Sequence, residues 1–334
     1  MSPEPGEPTA DGTTEALSRR VSAAGRSVVA QTGPLLGLLV LGAALSILTD
    51  RFLSFSNLAN VGQQIAVISI VALGATFVII AGGIDLSVGS VVALSSVVFA
   101  LAFSNAGLAW PIAVLAALGT GIAVGVVNGL FVTLGRLPAF IATLATLSMA
   151  RGLALVVSEG RPISGFPDEF RTITSGRIVG DVPVSIGLTI VLFVLGGLAL
   201  RHTVFGRAVY AVGGSEEVAR LSGIRIVRLK VAIYALAGFC AAVGGLVLTS
   251  RLNSAQPVAG QGLELDVIAA VVIGGASLSG GQGTAFGTLL GALIIGVLRN
   301  GLNLLNVSSF WQQVAVGAVI AAAVMTDTLR RRRR

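Results

Sequence analysis

The stretch VGQQIAVISIVALGATFVIIAGGIDLSVGSVVALSSVVFALAF, residues 61–103, carries one charged side chain, Asp85, between two long apolar runs, 61–81 and 86–103. A helix rises 1.5 Å per residue, so roughly 20 apolar residues cross the ~30 Å hydrocarbon core of a bilayer. Both runs are therefore candidate membrane-spanning helices. The pattern recurs outward along the chain at 29–48, 109–134, 137–157, 183–200, 231–250, 265–278, 284–299 and 310–328. The whole chain has 334 residues, of which 54% are hydrophobic and 11% charged. A soluble domain carries about 25% charged residues. This composition excludes a soluble enzyme and a disordered chain, and a single cysteine, Cys240, excludes a disulfide scaffold. The fold class expected is an all-α polytopic membrane protein with about ten transmembrane helices. The eighth segment, 265–278, is short for a crossing. It either borrows neighbouring residues or is a half-helix lining a cavity, because broken backbone is tolerated in a membrane only where protein or water covers it.

Arginine and lysine set the orientation. The connection 201–230 holds Arg201, Arg207, Arg220, Arg225, Arg228 and Lys230 against Glu216 and Glu217. The connection 158–182 holds Arg161, Arg171 and Arg177 against four acidic residues, Glu159, Asp168, Glu169 and Asp181. The first should face the cytosol. Six spans precede it and four follow, so both termini are also expected to be cytosolic. The polar residues 1–31, rich in Pro, Ser, Thr and Glu with Arg19, Arg20 and Arg26 near the membrane, read as a disordered cytosolic tail rather than a cleaved signal peptide, which would put its apolar stretch behind a short basic segment and end in a small-residue cleavage site. Residues 32–329 form the transmembrane domain, and 330–334, five arginines, read as a basic cytosolic tail anchoring the last helix. The net charge of +7 reflects these topology signals rather than a nucleic-acid surface, because the cations are not interleaved with aromatics.

Four motifs stand out. Gly82-Gly83-Ile84-Asp85-Leu86-Ser87-Val88-Gly89-Ser90 joins spans two and three. It reads either as a translocation or gating element, with Gly82, Gly83, Asp85, Ser87 and Gly89 as its residues, or as a tight turn at the membrane face with Asp85 or Ser87 capping the next helix. Gly274-Gly275-Ala276-Ser277-Leu278-Ser279-Gly280-Gly281-Gln282-Gly283 repeats its Gly-Gly-x-x-Leu-Ser-x-Gly pattern. Gly121, Gly125 and Gly129, with Gly287 and Gly291, place small residues four apart for close helix packing, and Asn128 sits beside that stripe to bond across helices. In the basic connection, Ser215 followed by Glu216 and Glu217 marks a helix start, and Gly223 its end in the left-handed region. This short helix would offer Val218 and Leu221 to a groove in a soluble partner, or it is a plain surface loop. Glu264 and Asp266 open span eight on the outer side, where they attract substrate or partner or simply sit at the interface. Arg151, inside span five, should snorkel or pair. The only lysine, Lys230, follows Leu229, so the chain has no phosphate-cradling Gly-x4-Gly-Lys loop of its own.

Residues 40–328 resemble the permease subunit of bacterial ATP-binding-cassette (ABC) importers for monosaccharides of the ribose, xylose and galactoside type. The resemblance is carried by Ala81–Gly89, Asn128-Gly129, Leu137–Leu144, Gly214–Ile224, Ser254–Pro257, Leu265–Gly275 and Ser308–Gln313. Ser215 stands where that family usually has Asn, and Val218 where it often has Ala. The resemblance implies a non-enzymatic permease in the bacterial inner membrane that pairs with a second permease copy. It implies an extracytoplasmic sugar-binding protein outside and ABC ATP-binding subunits inside, which hold the ATP and Mg; no cofactor is expected in this chain. It also implies an ATPase-coupling helix within 213–224, with Gly214, Ser215, Glu216, Glu217, Ala219, Arg220 and Gly223 as its residues. The outer-face residues would be Glu264 and Asp266. An ion-coupled secondary transporter is the alternative, with Asp85 as its strongest candidate acid.

Overall fold

The computed structural model describes residues 33–178 and 182–332. In chain order the elements are α1 (Gly33–Leu48), α2 (Phe55–Ile80), α3 (Val88–Ser104), α4 (Trp110–Thr133), α5 (Ala139–Val157), β1 (Ile163–Ser164) and α6 (Asp168–Ser175). They continue as α7 (Val184–His202), α8 (Val204–Gly214), α9 (Glu216–Leu221), α10 (Ile226–Leu252), β2 (Ser254–Ala255), α11 (Leu263–Ile273), α12 (Ala285–Leu304) and α13 (Ser309–Arg332). Each of the ten apolar segments lies on a helix. Six of these helices, α2, α4, α5, α7, α10 and α12, are long and apolar enough to cross a membrane, and α1, α3 and Ser309–Ala322 are shorter apolar helices. The all-α, polytopic reading therefore stands. The expected tail 1–31 lies outside the described residues. The expected basic tail at 330–334 begins as helix, since α13 runs to Arg332.

Helix α2 is the axis of the bundle. It is apolar on every side and buried from Ile65 to Ile80, packed among α10, α11, α12 and α7. A helix without a polar face is a buried one or a membrane one; α2 is both. The outer helices turn apolar side chains away from the protein instead, as Leu36, Leu39, Val156, Leu198 and Phe310 do. Glycines set the closest approaches. Cβ atoms added to Gly121, Gly125 and Gly129 of α4 would strike the α10 backbone at Gly238, Tyr234 and Val231. Added to Gly287 and Gly291 of α12, they would strike α11 at Gly274 and Ala270. Backbones in that contact gain dispersion that larger side chains would forbid.

Two helices, α11 and α3, are cut short by breaks in the backbone. α11 ends at Ile273, where a span to 278 was expected, and its 11 residues reach only about 16 Å. The cause is Gly275, whose φ of +89° turns the chain, with Gly275 N–H donating to Val272 O and Ala276 N–H to Val271 O. α3 starts only at Val88, after the non-helical residues 81–87. Its first turn lies against the non-helical segment that precedes α11: a Cβ on Gly89 would strike the Gly260 carbonyl oxygen and crowd the Glu264 carboxylate. Two broken helices thus meet N-terminus to N-terminus inside the bundle. At the end of the bundle reached by α5 and α10, β1 and β2 pair antiparallel through Ile163–Ala255 and Ser164–Ser254.

Candidate functional site

The site is built at the breaks. Helix α2 stops in a Schellman turn: Gly82, at φ +78°, donates to Ile79 O, and Gly83 to Val78 O. The equivalent residue in the second motif is Gly275, not Gly274. The two Gly-Gly-x-x-Leu-Ser-x-Gly repeats are therefore out of register by one residue in space. They nevertheless meet. Gly281 N–H donates to Ile80 O at 2.8 Å, and a Cβ on Gly280 would crowd Gly82. The third partner is the end of α8. A Cβ on Gly213 would strike both the Ile80 carbonyl and the Gly281 amide, and Tyr210 donates its hydroxyl to Gly283 O at 2.7 Å. Burial pushes the Tyr210 phenol up from its ordinary value, so it stays protonated and donating throughout the physiological range. Three glycine pairs (82–83, 213–214 and 280–281) thus form one junction of bare backbone.

The glycine turn forms at Gly82, and Asp85 just beyond it is drawn into the protein, 4% exposed. Within 81–87, Ala81, Asp85 and Ser87 are buried, Gly83, Ile84 and Leu86 are half-buried, and Gly82 is exposed. Asp85 Oδ1 accepts from Ser87 N at 2.8 Å and from Ser87 Oγ at 2.6 Å. Ser87 therefore spends its hydroxyl on Asp85 rather than capping α3. Asn128 Nδ2 donates to Ser87 Oγ at 2.8 Å, Thr146 Oγ1 donates to Asn128 Oδ1 at 2.5 Å, and Thr143 Oγ1 donates to Ile84 O at 3.2 Å. This chain of bonds ties the break to α4 and α5. A buried carboxylate at this depth is costly and marks a functional element by default.

The outer pair is split. Glu264 lies partly open against the start of α3. Asp266 is withdrawn from the surface and holds Arg299 of α12, whose Nη2 lies 2.7 Å from each carboxylate oxygen. Arg151 donates its Nη1 to Pro257 O at 2.9 Å and Ala259 O at 2.7 Å, pinning the segment ahead of α11, within the electrostatic reach of Glu264. Beside them lies a cavity of about 500 Å³ with Gln64, Arg251, Asp266, Arg299, Gln312 and Gln313 in its wall.

Helix α9 forms as its residues require. Ser215 Oγ accepts from Val218 N at 3.3 Å, Glu216 and Glu217 occupy the first turn, and Gly223 closes the helix at φ +84°. Ala219 is buried, Glu216 pairs with Lys230 of α10, and Val218 and Leu221 are 61% and 79% exposed. Only Ser215 separates α9 from α8. Helix α8 thus joins α9 in the chain to the glycine junction.

The family described as branched-chain amino acid transport system / permease component is matched over residues 57–324. The chain belongs to this permease family. It is 48% identical to the ribose import permease protein RbsC of Bacillus subtilis over 302 residues, 90% of this chain and 93% of that one. It is 46% identical to RbsC of Escherichia coli over 88% of this chain and 92% of that one, and 38% identical to the L-arabinose transport system permease protein AraH of Escherichia coli over 89% and 90%. No solved structure matches the chain. The permease's sequence marks both ends of α9, the Ser215 cap and the Gly223 stop. It leaves Tyr210, Gly213 and Arg299 unmarked, although one acid and one base in neighbouring apolar helices, Asp266 and Arg299, are a recognisable pairing signal.

Proposed function

We propose that the chain is the membrane-spanning subunit of an ATP-driven importer for a monosaccharide. An extracytoplasmic binding protein delivers the sugar, a second copy completes the path, and separate ABC ATP-binding subunits supply the energy. The observation that carries this reading is the 48% identity over nearly the whole length of a ribose import permease. The relatives' names lend no support to the ion-coupled alternative. In this reading the basic connection 201–230 and both termini face the cytosol, ten helical segments enter the membrane, and α11 enters as a half-helix. Non-helical backbone at 81–87 and 256–262, only partly covered, suits a transporter's path, where broken helices line a cavity and supply backbone polar groups to the cargo. The cavity beside the Asp266–Arg299 pair forms the outer half of that path, its amides and charged groups suited to sugar hydroxyls. Glu264 and Asp266 serve this path rather than an exposed docking face.

Coupling runs through α9. Val218 and Leu221 dock into the ATPase, and Gly214, Ser215, Glu216, Glu217, Ala219, Arg220 and Gly223 shape and hold the helix. ATP-driven closure moves α9 and α8, and the glycine junction passes the movement to the gating element of Gly82, Gly83, Asp85, Ser87 and Gly89, a rigid-body switch of packed elements. Leu221→Asp tests the docking. Removing one buried leucine forfeits about 1.5–3 kcal/mol, so retention of the ATP-binding subunit on the purified permease should fall about tenfold or more with the amount of permease in the membrane unchanged. Full retention and full uptake in Leu221→Asp would remove α9 from the coupling role.

A further inference from the structure

We propose that the cavity behind α9 binds a phosphate-bearing ligand. It measures about 540 Å³, within the ~300–1,000 Å³ usual for small-molecule sites. It lies between α9 and the adjoining ends of α2, α4 and α10, with Gly82 and Gly83 forming part of its wall. The titratable groups that line it are Arg136, Glu216, Arg220, Lys230 and Tyr234. Lys230 and Glu216 satisfy each other. Arg136 and Arg220 have no ion-pair partner among the described residues, so the cavity keeps two free guanidinium groups. Planar guanidinium forks match phosphate oxygens better than any other side chain.

One further observation points to an occupant. The Tyr234 hydroxyl, on a side chain that is almost wholly buried, has no hydrogen-bond partner. Buried hydroxyls are rarely left so; Tyr234 lines the cavity, and its hydroxyl lies just behind the wall that Gly83 forms. Arg136 is held at the cavity by the turn that closes α4, where Gly135 N–H donates to Leu130 O and Leu137 N–H to Phe131 O. The faces of α9 are divided as well: Glu216 and Arg220, four residues apart, line the cavity, while Val218 and Leu221 remain exposed. The site is thus separate from the ATPase-docking surface.

The phosphate could belong to a cytosolic small molecule or to a lipid headgroup; both present the same oxyanion to the arginines. For the soluble source the class is a phosphorylated monosaccharide, the product of kinase action on an imported sugar. That choice of class rests on the function proposed above, whereas the phosphate site does not.

The test is calorimetry on the full-length permease in phosphatidylcholine nanodiscs, titrated with a pentose 5-phosphate, with inorganic phosphate and with the free pentose. Saturable binding of the pentose phosphate is expected, with no binding of the free pentose. Arg136→Gln, Arg220→Gln and Tyr234→Phe should each weaken it, the arginine variants about tenfold, while Arg201→Gln, a cation outside the cavity, leaves it unchanged. A parallel arm measures the melting temperature in discs containing phosphatidylglycerol. A rise lost in both arginine variants, without pentose phosphate binding, identifies the headgroup as the source and sustains the phosphate site. No arginine-dependent response in either arm overturns the proposal. The measurement uses no ATP and no partner subunit, so its outcome is independent of the Leu221→Asp result.

Discussion

Gly213→Ala should cut ATP-driven uptake about tenfold and raise the number of ATP molecules hydrolysed per sugar moved. The argument is steric. The added methyl would lie on the Ile80 carbonyl oxygen and the Gly281 amide nitrogen, two backbone atoms that cannot rotate away. To admit it, α8 must retreat or the Gly281 N–H to Ile80 O bond must break, and a buried backbone group left unpaired costs about 1–3 kcal/mol. Either way α8 loses its seat on the end of α2 while α9 keeps its exposed docking residues. The ATPase should still bind and hydrolyse, and the cargo should no longer follow. Gly152→Ala, an α5 position with open space around it, controls for the loss of a glycine and should transport like the parent. Wild-type uptake and wild-type stoichiometry in Gly213→Ala would show that the junction transmits nothing.

Arg299→Ala should destabilise the permease more than any other single truncation considered. Asp266 is 6% exposed, and Arg299 Nη2 touches both of its carboxylate oxygens at 2.7 Å. Removing one member of such a pair leaves an uncompensated charge and costs about 3–5 kcal/mol. The solvent-facing part of Arg299 places the expected loss near the lower figure. Asp266→Asn combined with Arg299→Gln removes both charges and should recover more than half of the loss. Denaturant unfolding of the purified protein measures this directly. Additive losses in the double variant would mean that the two residues are energetically independent and that the contact between α11 and α12 rests on their glycines alone.

The helical segments were legible because the apolar runs at 61–81 or 231–250 have lengths that only a membrane explains. Ser215, Glu216 and Gly223 announced α9 because a capping hydroxyl, first-turn acids and a left-handed glycine are local signals. What stayed hidden is relational. In lipid the outer face of a helix is as apolar as its core face, so hydrophobic periodicity does not say that α2 is central or that α7 faces outward. Asp85 was visible as an unusual charge. Its burial among Ser87, Asn128 and Thr146 was not, since the three lie on different elements. The repeat at Gly82 and Gly274 suggested equivalence residue for residue. Backbone geometry instead equates Gly82 with Gly275, because it is the glycine at positive φ, not the first of the pair, that ends each helix. Helix α8 was missed because Gly206, Gly213 and Gly214 look like loop residues; all three lie in the helix, and Gly206 and Gly213 are glycine because backbone from a neighbouring segment occupies the space of their side chains.

The central claim is that this bundle moves cargo only when an external ATPase drives α9. Reconstitution into sealed vesicles tests it most directly, with labelled pentose outside and the permease supplied alone, under a proton or sodium gradient, or together with its ATP-binding subunit, the sugar-binding protein and internal ATP. Accumulation above the external concentration is predicted only in the complete, ATP-fed vesicles, and labelled leucine should not accumulate there. Pentose concentrated by the permease alone, with or without an ion gradient, would contradict the account.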